Sequence, residues 1–146
     1  MAEVSQEVVI DAPIDRVYDV IVDYARYPEF VPGIRACRVV STTPEKRVEY
    51  ELDLGVKRLR YTLRHVEERP RKVSWSLVDG ELMKVSSGSW ELTAEGEKTR
   101  ARYAVEVRIA KPPLVPQAVV DRMSDELNRV ALPRNLAAFK TRAERG

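Results

Sequence analysis

The sequence has one cysteine, Cys37, and one histidine, His65. A lone cysteine excludes an intrachain disulfide and predicts a cytoplasmic location. A lone histidine excludes a zinc or haem site built from clustered imidazoles, and no cofactor or metal is expected. Excess charge of one sign is missing too. The formal net charge is +2 over 146 residues, which neither demands nor excludes an acidic partner. No apolar run approaches the ~18 residues that span a bilayer. The opening Met1-Ala2-Glu3-Val4-Ser5-Gln6-Glu7 lacks the basic region and apolar core of a secretory signal. Also absent are a glycine-rich phosphate loop, a paired-cysteine spacing, a Gly-x-Ser-x-Gly elbow and a histidine-based triad. Without internal repeats or a linker-like stretch, residues 1–146 are expected to form one domain, long enough to bury about 70% of its unfolded surface.

What is present is mostly alternation. Residues 3–10 read as a strand. Asp11-Ala12-Pro13 then opens a helix, with Asp11 or Ala12 as cap and Pro13 in the first turn, and with Ile14, Val17, Ile21 and Tyr24 on one face. The aromatic, proline-containing stretch from Tyr24 to Gly33 reads as a compact connection with one short helical turn. A strand from about Ile34 to Ser41 follows. Gly55-Val56 fits a two-residue hairpin turn, and the register it sets is self-consistent. Asp53 meets Arg58 and Glu51 meets Arg60 on one face, while Leu52 meets Leu59, Tyr50 meets Tyr61 and Val48 meets Leu63 on the other. The same parity turns His65 inward, opposite Val73. After Glu68-Arg69-Pro70 come Val73, Trp75 and Leu77 on one face of a strand, with a turn at Asp79-Gly80. Residues 83–93 form another strand, in which Gly88 marks a bulge or bend. Ala101, Tyr103, Val105, Val107 and Ile109 line one face of the last strand. Strands joined by tight turns make an antiparallel meander and an α+β class.

Past the breaker Lys111-Pro112-Pro113-Leu114-Val115-Pro116 lies the only long helical pattern, from about Val115 to Arg145. Val119, Val120, Met123, Leu127 and Val130 share one face. Leu132, Leu136 and Phe139 fall nearly opposite. Either Pro133 kinks the helix, or its C-terminal half is covered on a second side by the Ile14–Tyr24 helix and Tyr27-Pro28-Glu29-Phe30. The second arrangement, with some kink, is expected.

Three stretches carry a resemblance that covers essentially the whole chain. They are Ala12-Pro13 through Asp23-Tyr24 and on to Tyr27-Pro28-Glu29-Phe30-Val31-Pro32; then Leu77-Val78-Asp79-Gly80 with Gly88-Ser89-Trp90-Glu91-Leu92; then Leu136-Ala137-Ala138-Phe139 with Arg142-Ala143. The chain resembles the helix-grip superfamily of polyketide cyclases, START lipid-transfer domains and birch-pollen-allergen-like proteins. Within it, the chain is most similar to coenzyme-Q-binding proteins and the bacterial ribosome-association toxin. The resemblance implies a curved antiparallel sheet of about seven strands wrapped around a long C-terminal helix, two short helices after the first strand, and an elongated apolar cavity between sheet and helix.

In that setting the inward aromatics Tyr50, Tyr61, Trp75, Trp90 and Tyr103 form a lining that stacks on a planar or isoprenoid ligand. Met123 and Leu127 supply the opposite wall, and Phe30 is placed with them as a ligand contact. His65 hydrogen-bonds a ligand carbonyl or moves a proton. The expected function is binding or transport of a hydrophobic small molecule (a lipid, quinone or polyketide-like compound) without catalysis. One alternative is a polyketide aromatase/cyclase or dehydrase using Tyr50, Tyr61, His65 or Tyr103. The other is a ribosome- or nucleic-acid-binding protein acting through the outward arginines Arg58, Arg60, Arg100, Arg102 and Arg108; Glu51 and Asp53, lying opposite Arg60 and Arg58, argue for a solvated, locally neutralised face instead. Cys37 is expected to be buried and inert.

Overall fold

The computed structural model describes residues 4–53, 58–80, 83–109, 113–125 and 132–145, without the side chains of Val4, Met123 and Leu132. Seven strands build one antiparallel sheet: β1 (Val4–Ile10), β2 (Ile34–Ser41), β3 (Lys46–Asp53), β4 (Arg58–Glu68), β5 (Lys72–Gly80), β6 (Met83–Glu95) and β7 (Lys98–Ile109). Their spatial order is β1-β7-β6-β5-β4-β3-β2. Each strand from β2 to β7 therefore pairs with its neighbour in sequence, and β1 closes the far side on β7. Helix α1 (Ile14–Val22), a 3-10 turn at Tyr24–Arg26 and the one-turn α2 (Tyr27–Phe30) follow β1. Helices α3 (Gln117–Asp125) and α4 (Leu132–Arg145) follow β7. No helix among the described residues is long and apolar enough to cross a membrane.

The β3–β4 register is the one the charge pattern predicts, with Asp53 opposite Arg58, Glu51 opposite Arg60, Leu52 opposite Leu59 and Tyr50 opposite Tyr61. The Gly55-Val56 turn itself lies outside the described residues. On the outward face Arg58 and Arg35 both reach Asp53, at 3.9 and 3.7 Å, and Arg60 reaches Glu51 at 3.4 Å. Arg100 pairs with Glu95 and Glu7, Arg102 with Glu91, and Arg108 with Glu106. These exposed pairs add little stability singly, but they neutralise the convex face locally.

Several expectations change on this frame. Asp79 and Gly80 stay inside β5, where they pair with Thr62 and Tyr61. Glycine is required at position 80 because a Cβ there would lie 2.5 Å from Tyr61 Cβ. Because the turn after β4 occupies Arg69 to Arg71, Glu68 pairs with Lys72 and His65 faces Trp75, not Val73. At the start of α1 the cap is Pro13 itself, with no side-chain cap hydrogen bond. Tyr24 is not on α1, because the backbone turns at Asp23 (φ −87°, ψ 65°) and Tyr24 opens the 3-10 turn.

Gly88 is no bulge: it sits in unbroken register opposite Val105 of β7, the shift in β6 coming earlier, between Met83 and Val85, while on the other side it forms the last pair of the β5–β6 ladder with Trp75. Close approach is what requires this glycine. A Cβ would stand 2.3 Å from the Ala104 carbonyl oxygen and 2.6 Å from Trp75 Cζ2. The carbonyl is fixed in the ladder and cannot yield. Gly88→Ala is therefore expected to destabilise the fold by about 2 kcal/mol, as overpacked sites do. A shift of the urea midpoint worth less than about 0.5 kcal/mol would contradict this account.

Helix α4 is held on two sides, as its displaced apolar residues predict. Leu136, Phe139 and Ala143 are buried. Phe139 meets Trp90 of the sheet and, edge-on, Tyr27 and Phe30 of α2. Arg16 of α1 donates to the carbonyls of Ala143 (2.7 Å) and Glu144 (3.0 Å), and the Asp11 amide donates to Glu144 Oε2 (2.9 Å). The two Arg16 bonds satisfy carbonyls that a helix end leaves unpaired. Pro133 falls in the first turn of α4, where its missing N–H removes no helical hydrogen bond. Val120 is buried and Val119 packs on the core. Leu127 and Val130, by contrast, lie outside the described residues.

Candidate functional site

Between the concave face of the sheet and α4 lies a cavity of about 100 Å³. Strand alternation delivers its lining. β3 contributes Tyr50 and Leu52, β4 contributes Tyr61, Leu63 and His65, and β5 contributes Trp75. Met83, Ser86 and Trp90 come from β6, Tyr103, Val105 and Val107 from β7, Tyr27 from α2, and Asn135 and Phe139 from α4.

The rings form a closed girdle. Tyr50, His65, Trp75 and Tyr103 follow one another at centroid separations of 6.0 Å. Tyr103 lies 4.5 Å from Trp90, Trp90 5.1 Å from Phe139, Phe139 5.3 Å from Tyr27, and Tyr27 6.2 Å from Tyr50. Tyr61 stacks on Tyr50 at 5.2 Å with the planes 9° apart. Tyr27 is anchored by donating its hydroxyl to the Ile21 carbonyl at the end of α1.

Six of the residues singled out by sequence therefore converge: Tyr50, Tyr61, His65, Trp75, Trp90 and Tyr103 all face one space. Phe30 does not line it. Phe30 packs on the outer side of Tyr27 and Phe139, with the Arg142 guanidinium 5.0 Å from its ring centre, because α2 turns Tyr27 inward and leaves Phe30 at the rim. Leu127 and the Met123 side chain lie outside the described residues. Tyr27, Ser86, Asn135 and Phe139 are lining residues that sequence reasoning missed. Tyr27 and Phe139 carried a usable signal, since each stands in a motif of the resemblance. Ser86 and Asn135 carried none.

The polar chemistry of the cavity is small and neutral. Tyr50 Oη and His65 Nε2 are 2.8 Å apart. His65 is 6% exposed, and its Nδ1 has no hydrogen-bond partner among the described residues. Burial lowers its pKa to about 4; nearby Glu67 opposes this and Lys46 adds to it. Behind the imidazole, Tyr24 O–H and Lys46 Nζ both donate to Glu67 Oε2 at 2.8 Å, and the Tyr24 ring lies 4.5 Å from His65. Burial raises the tyrosines. Tyr103 is pushed up to about 12 against a hydrogen bond from Asn135, and Tyr50, Tyr61 and Tyr27 are raised as well. Cys37 is buried, and desolvation pushes its thiol up to about 12, which makes it a poor nucleophile. Among the described residues no group of three His, Cys, Asp or Glu could hold a metal ion. At neutral pH the cavity thus presents aromatic faces, hydroxyls, one neutral imidazole and one amide.

The fold has clear counterparts among solved structures. The chain resembles the Zhui aromatase/cyclase of Streptomyces sp. R1128 at 19% identity and a TM-score of 0.82, over 99% of this chain and 94% of that one. A START superfamily protein of Mycobacterium smegmatis matches at 16% identity and a TM-score of 0.77, over 98% and 97%. Ara h 8.0201 matches at 12% identity and a TM-score of 0.70, over 99% of each chain. Identities this low speak to fold alone. No curated protein matches the sequence. A family model described as polyketide cyclase / dehydrase and lipid transport matches residues 1–144. With a seven-stranded sheet curved against a C-terminal helix and an aromatic cavity between them, the chain belongs to that family and to the helix-grip superfamily around it.

Proposed function

We propose that the protein binds a hydrophobic small molecule in the girdled cavity and acts as a carrier or binding protein. The observation that carries this reading is that every ionisable group on the lining is driven to its neutral form. A general base works best with a pKa near the operating pH. His65, held near 4, is too weak a base at neutral pH, and the raised tyrosines cannot serve as one. What remains is apolar area with a few orienting hydrogen bonds, the usual make-up of a binding pocket. An apolar cavity of about 150 Å³ accommodates benzene. At about 100 Å³ the space described here is smaller than that, so a ring guest, and still more a quinone or lipid, parts the sheet and helix walls.

A second reading is cyclisation of a poly-ketone chain. The hydrogen-bonded Tyr50–His65 pair on the same cavity favours it, since two such groups can polarise one carbonyl. Native mass spectrometry and solvent extraction of the purified protein, with calorimetric titration of naphthalene, test the preferred reading. A bound apolar molecule, or saturable naphthalene binding, is expected in the native chain and should be lost in Ser86→Phe, which fills the space. No co-purified molecule and no naphthalene heat would refute it. Turnover of a synthetic poly-ketone that is abolished by His65→Gln would transfer the assignment to the second reading.

A further inference from the structure

The sheet ends in two edge strands, β1 and β2, and only one of them is protected. An edge strand turns every other N–H and C=O outward, and native proteins blunt such edges because any extended strand can pair with them. β2 is blunted. Its register on β3 shifts between Ile34 and Ala36 and again between Val39 and Ser41, and the 3-10 turn and α2 pack against it. Arg35 and Arg38 add charge along it. β1 has none of these devices. It follows β7 in unbroken register from Val4 to Ile10, with no proline, no lysine and no bulge, and Glu7 is its one charge. Its free side is open to solvent. Ser5, Glu7 and Val9 are exposed on the convex face, and Gln6 is exposed although its place opposite Tyr103 puts it on the concave one.

A second copy of β1 fits this edge. Two copies meeting antiparallel about a two-fold axis must oppose residues of the same face, so the axis falls on a residue: Gln6, Glu7 or Val8. An axis at Glu7 sets like charges against each other. An axis at Val8 engages Ile10, which is wholly buried and whose carbonyl already accepts from the Ala12 amide. An axis at Gln6 avoids both faults. It places Gln6 across from the partner's Gln6, Val8 across from the partner's Val4, and Ser5 across from the partner's Glu7. Each Ser5 hydroxyl can then donate to a carboxylate, twice by symmetry. A net charge of +2 raises no long-range barrier between copies.

We propose that β1 is a homodimer interface, where two copies join edge to edge about a two-fold axis at Gln6 into one continuous sheet. The assembly closes at two, because the contact consumes both β1 edges and the bulged β2 edges do not propagate it. No residue lining the cavity belongs to β1, so the proposal stands apart from the binding reading.

Sedimentation equilibrium of the full chain, from about 1 to 100 µM, brackets the affinity of so small an interface. A mass of twice 16.7 kDa is expected at the top of that range. Gln6→Lys sets two ammonium groups together at the axis, and Ser5→Glu sets two new carboxylates against the partner's Glu7. Each is expected to weaken dimerisation by about tenfold or more. Both positions are exposed, so an unchanged urea midpoint is expected of the monomer fold. Adding Glu7→Lys to Ser5→Glu should restore the dimer, which a contact elsewhere on the chain would not do. A chain that stays monomeric over the whole range overturns the proposal and leaves β1 to an extended strand of another protein. A dimer indifferent to Gln6→Lys and Ser5→Glu also overturns it, since the contact then lies on another surface. Weakening without rescue overturns the axis at Gln6.

Discussion

Phe139→Ala is expected to cost about 4 kcal/mol of folding stability, the scale of removing a buried phenylalanine from a packed core. Phe139 is 5% exposed and touches rings from three directions: Trp90 on the sheet, and Tyr27 and Phe30 on α2. Neither side can close the gap. Trp90 is fixed by the β6–β7 ladder, and Tyr27 by its hydrogen bond to the Ile21 carbonyl. The truncation therefore leaves a cavity that does not collapse, and it adjoins the space already present. Domains of this size hold roughly 5–15 kcal/mol in reserve, so the variant should still fold but with a sharply lower urea midpoint. Phe30→Ala is the comparison. It removes a half-buried ring from the rim and should cost clearly less. Circular dichroism in a urea series measures both. A Phe139→Ala loss below about 1 kcal/mol would mean that α4 is not clamped between the sheet and α2.

The second large effect is a pH dependence. The folded chain keeps His65 neutral down to about pH 4, whereas the unfolded chain protonates it near 6.5. Above 6.5 both states hold it neutral and stability is indifferent to this group. As the pH falls from 6.5 towards 4, only the unfolded chain takes up the proton, so stability falls; below about 4 the loss levels off. The shift corresponds to about 3 kcal/mol. Carboxylates also titrate in the acid range, so the quantity to measure is the difference between the native chain and His65→Gln, each unfolded in urea at pH 7 and at pH 4. The native chain should lose about 3 kcal/mol relative to the variant. Parallel acid sensitivities would show that the folded protein accepts the proton.

Much of the sheet was legible because cross-strand pairs check one another. Asp53 with Arg58 and Tyr50 with Tyr61 fix a register that a one-residue slip would ruin. Alternation then carried Tyr61, His65, Trp75, Trp90 and Tyr103 to one face without any knowledge of what they meet. The out-of-phase positions of Leu136 and Phe139 revealed that α4 needs cover from two sides. The rest depended on contacts between elements distant in sequence. Nothing in the pattern of α4 marks Asn135 as the partner of Tyr103. Tyr27 and Phe30, three residues apart on one short helix and in ring contact, differ in role, since only Tyr27 lines the cavity, and the pattern of that helix does not say which. Gly80 and Gly88 look like turn or bulge residues until Tyr61 Cβ, the Ala104 carbonyl and Trp75 Cζ2 are found where a methyl group would go. His65 was expected opposite Val73 until the three-residue turn after β4 set it against Trp75, beside the Tyr24 ring.

The chain has two tryptophans, and both Trp75 and Trp90 belong to the ring girdle. The protein therefore carries its own optical probe. Indole emission responds to the polarity and quenching partners immediately around it, and here no third indole elsewhere dilutes the signal. Trp90 is 2% exposed while Trp75 is half-buried, so a guest that displaces solvent from the open side should shift chiefly the Trp75 emission to shorter wavelength. Trp75→Phe and Trp90→Phe would then separate arrival of the guest from rearrangement of the deeper wall, in real time and without a label.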